Sequence, residues 1–360
     1  MNQKEYIKEK PVWYTRYEDN IMKQSKKLII MNILKILKEH SDVENPLTQK
    51  EIQNILEFEY DMKVDRKAIK RNLMNLIDFG YDINYTEKTR QKKNGEHEIV
   101  YTDWYLEREF EDSELRYIID GLLFSKHIPT SQCKQLIDKI SRLSSNEDKI
   151  KIKHMNNLPE NTIQNKELFY TIEVLDEAID KQRQVQFTYN VYGIDKKMHP
   201  KREEKYIVNP YQMAATNGRY YLICNYDKYD NISHYRIDRI TDIEILPTSC
   251  KPKEEVKDIK YGLDLPKHMA EHIYMFAGKS VRVVFKAKAY LVTEILDWFG
   301  KETEFERIDE DTLKVSVFVN LSSMKYWALQ YVRHVKVLSP VELVETIKEE
   351  IEIGAKNYEG

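Results

Sequence analysis

Apolar residues recur three and four apart in some stretches of the chain and two apart in others, and this switch of period marks its parts. In residues 25–39, Leu28, Ile29, Met31, Ile33, Leu34, Ile36 and Leu37 form one broad apolar face, which predicts an amphipathic helix capped by Ser25. Pro46-Leu47 interrupts it. Thr48 and Glu51 then have the spacing of a capping box, in which hydroxyl and carboxylate each satisfy one orphan amide, ahead of a helix through Ile52, Ile55 and Leu56. Asp65 caps a third helix with Ile69, Leu73, Leu76 and Ile77 inward, and Gly80 ends it. Strand-like stretches follow at Tyr81–Thr86 and His97–Tyr101, joined by a basic connection that turns at Asn94-Gly95.

Two further helices are expected within 103–145, one opening at Ser113 and one at Ser131, before a polar segment that reads as a loop. A helix over 170–183 precedes a change to period two. Short strands are expected at Val185–Tyr189, Glu203–Val208, Tyr211–Thr216, Arg219–Asn225, Ile232–Ile237 and Ile243–Leu246, with Asn209-Pro210 as a break and Asn217-Gly218 as a hairpin turn. A helix leading into a small bent antiparallel sheet predicts an SH3- or Sm-like barrel. After a charged stretch, the remaining pattern is strand, helix, strand, strand, helix, strand and helix, a ferredoxin-like order.

The expected class is thus an α+β multidomain chain. It divides into an N-terminal extension (1–20), a winged helix-turn-helix (21–102), a helical connector (103–165), a small barrel (166–247), a linker (248–278) and a ferredoxin-like domain (279–360).

Composition narrows the chemistry. Only 10 glycines occur in 360 residues, and neither a GxGxxG nor a Walker-type loop can be found, which sets aside glycine-cradle enzymes. The three cysteines, Cys133, Cys224 and Cys250, form no CxxC pair, and such a sparse set fits a reducing, cytoplasmic setting. No apolar run is long enough to cross a membrane, and the N-terminus has no signal-peptide core. Net charge is −3, yet residues 21–93 hold 15 Lys/Arg against 11 Asp/Glu. A basic module on an acidic body points to local contact with a polyanion.

In that module Arg66, Lys67, Lys70 and Arg71 occupy the polar side of the third helix, and Lys88, Arg90, Lys92 and Lys93 the hairpin. Three helices plus a basic hairpin is the winged helix-turn-helix plan. The third helix would enter the major groove of double-stranded DNA, with Thr48 and the wing cations on phosphates. The strip DRKAIKRNLMNLIDFGYDI resembles the recognition helix and wing of DeoR-like bacterial repressors.

Nine of the 25 tyrosines fall within 185–240. Around Tyr220-Tyr221-Leu222 stand Phe187-Thr-Tyr189, Val208-Asn-Pro210-Tyr211 and Tyr235-Arg236-Ile237-Asp238-Arg239-Ile240. Together they resemble the WYL domain, with Tyr220 in place of the name-giving tryptophan. The resemblance implies a homodimeric bacterial transcriptional regulator with a C-terminal WCX-type extension. It also implies a sensor pocket for a nucleic-acid or nucleotide-like anion. Tyr189, Tyr220, Tyr221, His234, Arg236 and Arg239 are the pocket candidates. Alternation along a strand would put His234, Arg236 and Asp238 on one face. Taken singly, the tyrosines better suit a small-barrel core, and the two arginines equally suit structural ion pairs with Asp238, Asp242 or Glu244.

His268 and His272 have helical i,i+4 spacing. Met269 stands where a zincin needs Glu and no third ligand is apparent, so they read as surface histidines. Asp309-Glu310-Asp311 reads as a hairpin turn rather than a nuclease cluster. No catalytic residue, metal or cofactor is expected. The leading expectation is an effector-responsive DNA-binding regulator. Its rivals are an accessory protein that grips single-stranded nucleic acid for a phage-defence or similar machine, and a metal-dependent hydrolase.

Overall fold

A computed structural model describes residues 25–91, 95–125, 127–144 and 165–359. It is a mixed α/β multidomain chain with a helical N-terminal region and curled antiparallel sheets. The described residues fall into two compact units, one of 25–91, 95–123 and 133–144 and one of 124–125, 127–132 and 165–359.

The first unit opens with α1 (Ile29–His40), α2 (Gln49–Tyr60) and α3 (Arg66–Phe79). Side-chain caps fix the starts of α2 and α3, whereas α1 follows a tight turn, Lys26–Leu28, that Ser25 caps. The Thr48 hydroxyl accepts from the Glu51 amide at 3.2 Å, and Glu51 accepts from the Thr48 amide at 2.8 Å. Asp65 accepts from the Ala68 amide at 2.9 Å. Gly80 ends α3 at φ 111°, a left-handed conformation that side chains disfavour. Ile33, Ile36, Leu37, Ile52, Leu56, Ile69 and Leu73 are fully buried together with Trp104.

Trp104 lies on β2 (His97–Leu106), which pairs antiparallel with β1 (Ile83–Gln91). Both strands are longer than the sequence pattern implied, so Lys88 and Arg90 sit on β1 itself and not in its connection. Along Thr86–Gln91 both faces of β1 are wet, which leaves no apolar alternation to read there, while β2 runs on to Leu106 because Trp104 and Leu106 pack on the helices. Leu47 exchanges two backbone hydrogen bonds of 2.8 Å with Trp104, tying the ribbon to the start of α2. Then come α4 (Asp112–Phe124) and α5 (Thr130–Ser141).

The second unit begins with α6 (Leu168–Asp180), which buries Leu168, Val174, Leu175 and Ala178. A six-stranded curled sheet follows: β3 (Arg183–Tyr192), β4 (Met198–Pro200), β5 (Tyr206–Thr216), β6 (Arg219–Asn225), β7 (Ile232–Arg236) and β8 (Ile240–Ser249). Its order is β4-β3-β5-β6-β7, with β8 on β3. Asn209-Pro210 does not break the chain into two strands. The register shifts between Pro210 and Gln212, and that bulge absorbs the missing proline N–H. Asn217 (φ 51°) and Gly218 (φ 68°) turn β5 into β6 as their sequence requires.

The stretch read as a linker packs instead. Val256, Ile259 and Met275 are buried in one cluster with Tyr211, Ile223 and Ile232. It includes α7 (Leu265–Glu271). A four-stranded antiparallel sheet of order β10-β11-β9-β12 comes last, from β9 (Ser280–Lys288), β10 (Glu304–Arg307), β11 (Thr312–Asn320) and β12 (Val335–Ser339). One face packs Val283, Phe285, Val315 and Val317 on α8 (Val292–Phe299) and α9 (Leu321–Gln330), around Trp327. The chain closes with α10 (Val341–Lys356).

Candidate nucleic-acid and effector sites

In the first unit α3 presents two chemically opposite sides. Ile69, Leu73 and Leu76 are buried, while Arg66, Lys67 and Arg71 are exposed. Lys70 is half-buried, its ammonium 3.5 Å from the centre of the Tyr101 ring, so part of its charge is already engaged. Lys88 is engaged too, 2.8 Å from Asp103, and its ammonium holds the Asp103 carboxyl below the usual range. The Thr48 hydroxyl donates to Glu51 at 2.8 Å and belongs to the helix cap. Arg90 is exposed. Lys92 and Lys93 lie outside the described residues.

In the second unit Tyr189, Tyr206 and Tyr235 pack edge to face on one another, and Phe187 stacks on Tyr206 and meets Tyr235 edge to face. Tyr189 is nearly buried, and its hydroxyl accepts from the Arg236 amide at 3.4 Å. The Tyr226 and Tyr235 hydroxyls bond at 2.8 Å, and burial holds both phenols protonated. Tyr220 sits 5.8 Å from the His127 ring. Tyr221 is half-buried and pairs across the sheet with Arg236. Arg236 donates from Nε to Asp238 at 3.0 Å and from Nη2 at 2.5 Å, a bidentate pair onto a fully buried carboxylate. Burial works against the guanidinium charge, but the Asp238 carboxylate outweighs it and raises the Arg236 pKa. Arg239 differs: its Nε is buried without a hydrogen-bond partner among the described residues.

A model of the WYL domain family matches residues 170–245. That stretch is a WYL domain. No curated protein matches the chain. Among solved structures, it is similar to proteasome accessory factor B/C (PafBC) of Arthrobacter aurescens, at 13% identity and TM-score 0.29 over 94% of this chain and 50% of that one. It thus spans about half the length of that protein. It is also similar to a CRISPR Cas-related protein, at 15% identity and TM-score 0.35 over 92% of this chain and 85% of that one.

Within the WYL domain the six candidates do not form one set. The strand ends at Arg236, and one tight helical turn, Ile237–Arg239, carries Asp238 back onto the arginine. Asn165 anchors that turn by donating to the carbonyls of Asp238 (3.2 Å) and Ile240 (2.8 Å). His234 has a different partner. Its Nε2 lies 2.9 Å from Nε2 of His268, whose ring stacks on His272 at 4.1 Å. Both residues of α7 and its end that read as surface histidines are therefore buried, at 8% and 6% exposed. The reason is that the 248–278 stretch covers the sheet instead of running free. Burial and the neighbouring rings push His234 down to about 3 and His268 to about 4. Two neutral imidazoles supply one donor and one acceptor, as a 2.9 Å contact needs.

Chemically, the arrangement offers a fixed guanidinium–carboxylate pair, an unpartnered arginine Nε and a tyrosine shelf with protonated hydroxyls. Those groups suit phosphate oxygens and stacked bases. Sequence reasoning missed Arg202, whose guanidinium lies 3.6 Å over the Tyr206 ring, and nothing in its local pattern marks it. It also missed the partner role of His268, 34 residues from His234.

Proposed function

We propose that the chain is a DNA-binding transcriptional regulator, acting as a cytoplasmic homodimer, whose WYL domain takes an anionic or nucleic-acid-like effector and thereby alters operator binding. The observation that carries this reading is α3: Arg66, Lys67 and Arg71 stand exposed opposite a fully buried apolar stripe, directly before the β1–β2 ribbon. The first helical turn is where a cation is least favoured, because the positive end of the helix dipole lies there. A polyanionic partner reverses that penalty.

In this reading residues 21–102 are a winged helix-turn-helix. Arg66, Lys67 and Arg71 dock α3 on duplex DNA, and Arg90, Lys92 and Lys93 hold phosphates from the wing; Lys70 and Lys88 join them only by giving up Tyr101 and Asp103. The WYL sheet is an Sm-like barrel. The last body, with neighbours β12-β9-β11-β10 in βαββαβ order, is ferredoxin-like and WCX-type. Tyr189, Tyr220 and Tyr221 line the effector pocket, Arg239 supplies the free guanidinium, and Arg236 and His234 position the wall. Effector binding shifts the operator affinity only if it favours one dimer geometry over the other.

The test is selection of bound fragments from random duplexes, followed by salt titration of Lys67→Ala/Arg71→Ala. We expect an enriched palindromic site and a log–log salt slope reduced by about 1.8, two phosphates at 0.9 each. Unchanged affinity with an unchanged slope sinks the α3 assignment, and no enriched site sinks the operator.

A further inference from the structure

The C-terminal sheet has an open side. Along β9 and β11 the buried residues alternate with Arg282, Val284, Lys286 and Lys288, and with Thr312, Lys314, Ser316 and Phe318. The register sets three lysines in one row across three strands, because Lys286 is the cross-strand partner of both Lys314 on β11 and Lys336 on β12. Like charges directly opposite one another destabilise a sheet. Lys314 is compensated by Glu306 at 2.8 Å, and Arg282 by Glu304. Lys286 and Lys336 have no ion pair among the described residues.

Beside the row lies an open depression of about 240 Å³ lined by Lys286, Lys288, Thr312, Arg333, His334 and Lys336. The acid that feels Lys288 is Asp309 in the β10–β11 turn, and its carboxyl is held low first by the Asp311 amide. Tyr290 stands at the rim, 67% exposed, its ring 5.7 Å from His334. Phe318, 54% exposed, shares the outward side of β11.

We propose that this face, centred on the Lys314–Lys286–Lys336 row, is a second nucleic-acid site that takes the phosphodiester backbone of a single strand. Three neighbouring strands set the row's Cα atoms across roughly 10 Å, and Lys288 lies about 7 Å along β9 from Lys286. That spread is too wide for one phosphate and suits a chain of them. The exposed rings of Tyr290 and Phe318 offer stacking surfaces, which only unpaired bases can use. The site is separate from the WYL pocket and from α3.

Full-length protein is titrated against a labelled oligothymidine of about 16 nucleotides, the upper end of common single-domain site sizes. The variants are Lys286→Ala/Lys336→Ala, Tyr290→Ala and Arg239→Ala. We expect the double lysine change to weaken binding at least about ten-fold and lower the log–log salt slope by about 1.4, two phosphates at 0.7 each. Tyr290→Ala weakens it about ten-fold. Removing a repelled lysine keeps or raises the hydrogen-exchange protection of β9 and β12, so loss of binding is not loss of fold. No binding by the wild type, or binding that survives the double change with its slope intact, overturns the proposal. So does loss confined to Arg239→Ala, which would put the strand in the WYL domain. Equal competition by a duplex of the same length or by phosphatidylserine vesicles overturns the single-strand assignment. A failed Lys67→Ala/Arg71→Ala result bears on α3 alone, so the two readings fail separately.

Discussion

Replacing Arg236 by Met tests whether this arginine holds the WYL domain together or waits for a ligand. The side chain is 14% exposed and its partner Asp238 is 0% exposed. The substitution keeps the aliphatic stem and deletes both bonds to the carboxylate. A buried carboxylate left without its cation costs about 3–5 kcal/mol, a large share of a typical domain's 5–15 kcal/mol. Removing the second charge too, in Arg236→Met/Asp238→Leu, takes away that orphan and should recover at least about half of the loss. The chain has more than one compact unit, so a single melting midpoint would blend transitions. Hydrogen-exchange mass spectrometry on peptides of β3 and β7 reads the local opening free energy instead. The expected pattern is strong loss of protection in the single variant, recovery in the double one, and little change in Arg239→Ala. A loss below about 1 kcal/mol for Arg236→Met, or no recovery in the double variant, refutes the structural role and returns Arg236 to the ligand set.

The neutral histidine pair gives a second prediction. His234 and His268 titrate at about 3 and about 4 when folded, against 6.5 unfolded, so the unfolded chain binds protons first as pH falls. Their stability contribution is complete above 6.5 and is lost as pH falls toward the folded values, with a slope of up to about 2.7 kcal/mol per pH unit for two groups. His40, raised by its bond to Glu59, works in the opposite direction but sits at the surface. Protection of β7 that stays flat between about pH 7 and about pH 5 would refute the buried pair. Third, Lys67→Glu and Lys286→Glu should each stabilise the fold by about 0.3–1 kcal/mol at low salt while weakening nucleic-acid binding. Hydrogen exchange on peptides of α3 and β9 at two ionic strengths checks this, and lower protection in either variant counts against the charge argument.

What could be read from the sequence was whatever a few neighbouring residues decide. Thr48 with Glu51, Asp65 with the Ala68 amide, and Gly80 are local chemistry, and the helices begin and end on them. The apolar alternation of Val281–Ala287 is local too, and β9 covers it. The sequence pattern shortens β1 because Thr86–Gln91, wet on both faces, carries no apolar signal, and it shortens β2 because the burial of Trp104 and Leu106 depends on helices elsewhere in the chain. Asn209-Pro210 was read as a break because the bulge that accommodates it depends on the register with β6. The burial of His268 and His272 depends on the sheet that their segment covers. Arg236 and Asp238 were placed on one face by strand alternation; they do meet, but through a tight turn that ends the strand.

The same distinction separates the cations that hold the fold from those free to act. Arg236 is matched by a buried carboxylate, Lys88 by Asp103, and Lys70 leans on the Tyr101 ring. Drawing any of these toward a polyanion breaks an interaction the fold already has. Arg66 and Lys67 stand in the first turn of α3, against the positive end of the helix, and Lys286 stands between two other lysines. Local electrostatics opposes a positive charge at each of these places. A polyanion arriving there relieves repulsion instead of breaking a bond, so its binding free energy includes a gain the free protein lacks. The positions where the fold tolerates an unfavourable charge are therefore the ones where phosphate contact is least costly, and they form two separate faces, one on α3 and one on the C-terminal sheet.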